Sequence, residues 1–223
     1  MQSKPRNAGF TVVEFLVAMA LSGVVMASVY SSFSVQHKAY VAQEQIAAMQ
    51  QNLRAALYLM EREVRMAGHD PAGASGTGIV TANASSIRVR SDITDNAGTG
   101  APDGDTGDVG EDITYALFDA DGDGDMDLGR TDAAGGGMQP FAENIDALNF
   151  VYLDENGNVT AVPSQIRSVQ IAVIAKAGQP DPGYVNNDVY TNQQGQTILA
   201  PSDHFRRRIL MTEVKCRNLG LDE

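Results

Sequence analysis

Apolar and polar residues follow three successive patterns along this chain of 223 residues. Phe10 opens an apolar run interrupted by one acid, Glu14, and the stretch from Phe15 to Gln36 carries no charge. About 20 apolar residues suffice to cross the ~30 Å hydrocarbon core of a bilayer, so residues 10–36 are predicted to form a membrane-spanning helix. From Val35 to Ala67 there is neither Gly nor Pro, and apolar residues recur at Ala42, Ile46, Met49, Leu53, Leu57, Met60, Val64 and Ala67. Steps of four and three place them on one stripe, so residues 37–68 are predicted to be an amphipathic helix. Gly68 is its expected stop, with Pro71 just beyond. After Gly68 the period shortens to two. Ser86–Arg90 alternates, with Ile87 and Val89 on one face and Arg88 and Arg90 on the other. Ile113–Phe118, Ala147–Leu153, Val169–Ala175 and Ile209–Cys216 are further predicted strands, and Asn156-Gly157 predicts a tight hairpin turn.

A helix followed by strands predicts an α+β fold in which a long N-terminal helix, membrane-spanning in its first half, packs on a C-terminal antiparallel β-sheet head. The head is expected to occupy residues 69–223. A coiled-coil dimer would also use the stripe on residues 37–68, but the sheet of the same chain offers a nearer surface. The segments Asp92–Gly110, Gly135–Gly137 and Gly178–Gly195, rich in Gly, Asp, Asn and Pro, are expected to be surface loops.

Charge narrows the possible partners. The formal net charge is −12, and between Asp92 and Asp132 thirteen acids face the single base Arg130. Such a surface repels phosphates, so no nucleic-acid binding is expected there. Lys4 and Arg6 before the apolar run predict a cytoplasmic leader and an exported head. Cys216 is the only cysteine, which leaves no intrachain disulfide and reads as a small buried hydrophobe.

The candidate ligand site is Asp119-Ala120-Asp121-Gly122-Asp123-Gly124-Asp125-Met126-Asp127. Carboxylates at alternate positions with Gly at the sixth match the opening of an EF-hand-type calcium loop. Asp119, Asp121 and Asp123 would supply side-chain oxygens, Asp125 its carbonyl, and Asp127 a direct or water-mediated ligand. Arg130 stands at the twelfth position, where a bidentate acid is usual, so Asp132 or an acid from another loop is needed to complete the shell. A solvated acidic turn is the alternative. His37, His69 and His204 are dispersed and lack zinc spacing. No nucleophile elbow, P-loop or dinucleotide fingerprint stands in a strand-to-helix setting, so the chain is not expected to be an enzyme. His204-Phe205-Arg206-Arg207-Arg208 is expected to be a solvated strand entrance or a contact for acidic neighbours, with a phosphate or lipid role as the alternative.

The stretch Lys4-Pro5-Arg6-Asn7-Ala8-Gly9-Phe10-Thr11-Val12-Val13-Glu14 resembles the type IV pilin signal shared by type IV pilins and type II secretion pseudopilins. A secretory signal peptide fits poorly, because its cleavage site follows the apolar region whereas the Gly9-Phe10 junction precedes it. The resemblance implies removal of residues 1–9 by a prepilin peptidase, methylation of Phe10 by the same enzyme, and Glu14 as the assembly glutamate. Within the head, Phe141–Asp154, Gly157, Ile166–Ile171 and Arg217-Asn218 resemble PilW-type minor pilins, relatives of GspJ-type minor pseudopilins. Major pilins usually carry a kinking proline in the membrane helix and a C-terminal cysteine pair, and this chain has neither. The resemblance therefore implies a minor pilin that primes or caps a type IV pilus, with its anchor in the inner membrane, its head in the periplasm, and other minor and major pilins as partners. A minor pseudopilin of type II secretion and a calcium-dependent binding module at a pilus tip are the alternatives.

Overall fold

A computed structural model describes residues 9–73, 76–95, 97 and 100–220; Lys4 and Arg6 lie outside the described residues. Helix α1 spans Val12–Met66. Its end follows from backbone chemistry. Gly68 adopts φ +79°, its N–H donates to the Arg90 carbonyl at 3.0 Å, and the His69 N–H returns to the Met66 carbonyl at 2.9 Å. A side chain at Gly68 would meet Leu219 Cδ2 at 2.5 Å, so both conformation and space require glycine there.

The chain divides into two compact units, Met1–Glu44 and Gln45–Glu223. In the first, Phe10 and the apolar side chains of α1 from Val12 to Tyr40 are uncovered. This part is long and apolar enough to cross a membrane.

Among the described residues, the second unit contains the rest of α1 and ten strands. Five form an antiparallel meander in the order β1 (Gly78–Ala82), β2 (Ser86–Arg90), β3 (Asp112–Phe118), β4 (Asp127–Asp132) and β5 (Met138–Ala142). A second sheet has the order β10-β7-β6, from β6 (Ile145–Leu153), β7 (Ser168–Lys176) and β10 (Arg207–Lys215). The short pair β8 (Tyr190–Thr191) and β9 (Thr197–Leu199) forms a third. Met49, Leu53, Leu57, Met60, Val64 and Ala67 of the predicted stripe, joined by Ala56, pack into one core with Ile87, Ile113, Tyr115 and Leu128 of the meander and Phe150, Ile171, Val173 and Val214 of the second sheet. The fold is α+β, with the head sheets antiparallel throughout.

The second sheet departs from simple alternation: β7 is buried at every position except Lys176. Val169, Ile171, Val173 and Ala175 face the core. The other face is covered in part by the 178–206 segment, where Gln194 donates to Gln170 at 2.9 Å and Asn192 donates to Asn149 at 3.1 Å. Gly178–Gly195, expected to be a surface loop, is mostly exposed and also lies over part of this face. The turn at Asn156-Gly157 forms, with Gly157 at φ +79°, but its returning arm makes only the bridge Leu153–Val159. β7, rather than that arm, then pairs along β6.

Polar contacts tie α1 to both sheets. Glu63 receives Arg130 at 3.1 Å and the Tyr115 hydroxyl at 2.5 Å. Burial, reinforced by the Glu63 charge, pushes the Tyr115 phenol well above its usual range. On β10, Thr212 donates to Glu61 at 2.6 Å. Asn218 offers its amide to the Arg65 and Met66 carbonyls, both at 3.4 Å, at the C-terminus of the helix, where carbonyls lack intrahelical donors.

Candidate functional sites

The loop between β3 and β4 carries the predicted calcium ligands. Asp119 caps it by accepting the Gly122 N–H at 2.7 Å and the Gly124 N–H at 3.2 Å, while those glycines adopt φ +80° and +90°. Asp121 and Asp123 form Asx turns onto the Asp123 and Asp125 amides. The result brings one carboxylate oxygen from each of Asp119, Asp121 and Asp123 within 4.8 Å of the others, all in exposed positions. The remaining two candidates are differently engaged. Asp125 bonds Lys176 at 2.5 Å. Asp127 is buried and accepts the Asn144 N–H at 3.1 Å.

Arg130, at the twelfth position, faces Glu63 instead of the loop. Asp132 lies at the far end of β4 from Asp127, accepting the Gly110 N–H at 2.8 Å, so it does not complete the loop. The acid that does approach is Glu143. With Asn144 and Pro140 it lines a recess of about 240 Å³ that also contains Asp121, Asp123, Asp125 and Asp127. Linear spacing gave no sign of Glu143; the β4–β5 pairing brings it there.

A second group of acids lies in the segment before β3. Asp103, Asp105 and Asp108 also present carboxylate oxygens within 4.8 Å of one another. Close by, Asp112 sits across from Arg90 in the β2–β3 register and receives Arg88 at 2.6 Å and Arg90 at 2.7 Å. Burial opposes ionisation of Asp112, but the two guanidiniums outweigh it and hold the carboxyl below its usual range. Glu111, wholly buried, accepts the Ile93, Thr94 and Asp108 amides.

The basic run after His204 meets acids. Arg206 bonds Asp181 at 2.7 Å, and Arg207 bonds Asp146 at 2.6 Å and Asp203 at 2.7 Å with its own side chain 5% exposed. That pairing lowers the Asp203 and Asp181 carboxyls and raises Arg207. Cys216 is buried, and burial pushes its thiol up to about 12.

At the N-terminus, Thr11 and Glu14 form a capping box. The Thr11 N–H and hydroxyl each donate to Glu14 Oε2 at 2.9 Å, and the Glu14 N–H donates to Thr11 Oγ1 at 3.2 Å. This reciprocal arrangement satisfies donors that a helix start leaves without partners. The signal was present as Thr-x-x-Glu, and the role of Thr11 is the part sequence reading missed. Phe10, next to it, is 92% exposed.

Residues 4–30 match the prokaryotic N-terminal methylation motif. The chain therefore carries a prepilin-type N-terminal segment. The motif implies processing by a prepilin peptidase and assembly with other pilins, and with the apolar helix it indicates membrane anchoring. Among solved structures, a type IV-like pilin from Thermus thermophilus aligns over 77% of this chain and 98% of its own, with 16% identity and a TM-score of 0.47. Comparison with curated proteins returned no match.

Proposed function

We propose that this pilin-like chain is a PilW-type minor pilin, related to GspJ-type minor pseudopilins, that takes part in priming or capping a type IV pilus. A prepilin peptidase and methyltransferase would remove residues 1–9 and methylate Phe10. The anchor would cross the inner membrane once, with the head in the periplasm before incorporation among minor and major pilins. The observation that carries this reading is the methylation motif running into a helix whose apolar side chains, from Val12 to Phe33, have no cover among the described residues. Such a surface needs lipid or other helices around it. The missing membrane-helix proline and cysteine pair favour a minor subunit over the bulk fibre protein. The role is structural, and no catalytic step is assigned to it. A minor pseudopilin of type II secretion would process and anchor in the same way; co-purification with sheared pili separates the two.

Intact-mass and N-terminal peptide analysis of native membranes tests the reading. The expected product begins at N-methylated Phe10. Retention of Met1, or cleavage beyond Val35, would overturn it.

A second reading adds calcium to the head at Asp119, Asp121 and Asp123, with Asp125 and Asp127 further round the loop, giving a calcium-dependent contact at a pilus tip. Glu143 favours it, as an acid lining the same recess where the twelfth position lacks one. With Asp125 already paired to Lys176, binding there is expected to be weak, in the range of extracellular calcium modules.

A further inference from the structure

Carboxylates normally enter a protein interior with partners, because an unpaired buried charge is costly. Two carboxylate oxygens of this head break that rule: Asp92 Oδ1 and Asp108 Oδ2 are buried and have no hydrogen-bond partner among the described residues. Asp92 is wholly buried and Asp108 is 9% exposed. Neither is paired to a base, whereas Asp112 nearby takes both Arg88 and Arg90.

The two orphans converge on one loop. Asp92 Oδ2 accepts the Gly104 N–H at 3.1 Å, so its carboxylate sits against the backbone between Asp103 and Asp105. Asp108 belongs to the trio Asp103, Asp105 and Asp108, whose oxygens lie within 4.8 Å of one another. Calcium holds its oxygen ligands at 2.3–2.6 Å, so two ligands on opposite sides of the ion are at most about 5 Å apart. The spacing of the trio therefore fits around a single calcium ion. Backbone hydrogen bonds already hold the other oxygens: Asp103 accepts the Asp105 N–H at 3.2 Å and Asp105 accepts the Gly107 N–H at 2.8 Å. The Asp108 amide is tied to Glu111 at 3.2 Å. The loop is thus braced from several sides while its unpartnered buried oxygens face like charge.

We propose that Asp103, Asp105 and Asp108, with Asp92 behind them, form a divalent-cation site of calcium type in the segment before β3, distinct from the loop of Asp119–Asp127. An array of carboxylates on a loop suits calcium, which accepts six to eight oxygens in irregular geometry; magnesium demands a near-ideal octahedron. The cation would neutralise the oxygens that the protein itself leaves unpaired and fasten the 92–110 segment to the start of β3. The inference does not depend on the pilin reading.

The test uses the full chain in detergent micelles, stripped with a chelator and titrated with CaCl2 by calorimetry. Asp119→Asn with Asp123→Asn removes the exposed loop as a competitor. In that background one calcium per chain is expected to remain, where the unsubstituted protein binds two if the exposed loop also takes one. Adding Asp105→Asn and Asp108→Asn should weaken the remaining site at least tenfold, and MgCl2 should compete poorly. Asp105 is exposed, so Asp105→Asn alone keeps the test decisive should Asp108→Asn unfold the head. Amide exchange at Gly104 and Gly107 should slow with calcium in the background protein. Absence of calcium binding by the folded background protein at about 10 mM, above the range of weak extracellular modules, would overturn the proposal and leave a bound proton as the occupant. Unchanged affinity after Asp105→Asn would overturn it equally.

Discussion

The two parts of α1 use similar residues to opposite ends. Val12–Glu44 leaves Phe15, Leu16, Leu21, Val24 and Phe33 at 59–66% exposure, whereas Leu53, Met60 and Val64 farther along are wholly buried. The difference lies in what each part has for a partner. Gln45–Met66 has an apolar stripe matched by two sheets and a polar face that supplies Glu61 and Glu63 to them. In the earlier part the stretch from Phe15 to Gln36 carries no charge and is apolar all round, which is the composition of a helix that needs a non-aqueous environment. Helical propensity is shared; the solvent for which each part is built is not.

The strongest way to break this contrast is to truncate one leucine in each part. Leu53→Ala opens a cavity in the head core and is expected to cost about 2–5 kcal/mol of head stability. Leu21→Ala, an exposed position, should shift it by no more than about 0.5 kcal/mol. Thermal and denaturant unfolding of the full chain in detergent measures both; equal losses would mean that the earlier part also contributes to the head's stability.

Glu14 sharpens the contrast at the level of assembly. Glu14→Ala removes one side of the capping box and, on the pilin reading, the partner for the Phe10 amine of an adjacent subunit. We expect leader cleavage and head melting to persist while recovery in sheared pili, normalised to membrane abundance, falls severalfold. Thr11→Ala removes the cap while retaining the carboxylate, so a comparable loss there would assign the effect to capping.

The smallest effect concerns the head alone. Asp112 is held below its usual carboxyl value of 3.8, so its pairing with Arg88 and Arg90 stabilises the fold fully above about pH 5. That contribution is lost as pH falls through the unfolded value and on through the lower folded one. Asp112→Asn should cost about 1–2 kcal/mol at neutral pH, discounted because the arginines are partly solvated, and flatten the acid limb of stability below about pH 5. An unchanged acid limb would remove Asp112 as its cause. The substitution leaves the N-terminal part of α1 untouched.

Periodicity made much of the fold legible. The stripe from Met49 to Ala67, the alternation at Ser86–Arg90 and the cores of β3, β6, β7 and β10 were readable because local pattern and burial agree there. β4 and β5 were not: Asp127–Asp132 contains Gly, Arg and two aspartates, and Met138–Ala142 contains Pro, so neither has strand-like composition. They are strands because β3 supplies a ladder for β4, and β4 supplies one for β5. The basic run at Arg206–Arg207 was readable as a contact for acidic neighbours, but not which acids: Asp203 lies four residues away, while Asp181 and Asp146 come from farther along the chain.

By itself, the sequence determined what depends on neighbours along the chain: the methylation motif over residues 4–30, the uncharged span, the Thr11–Glu14 cap, the stop at Gly68 and the Asx turns of the acidic loops. Helix periodicity, capping and turn chemistry act over a few residues, so they are written locally. The tertiary structure decided what depends on residues far apart: that the 178–206 segment covers the back of β7, that Arg130 serves Glu63 instead of a metal loop, and that Glu143 joins the recess of Asp121 and Asp123. It also decided that Asp92 and Asp108 are buried with unpaired oxygens beside Asp103 and Asp105. Burial and the pairing of charges are set by what folds on top of a residue, and the local sequence carries no record of that.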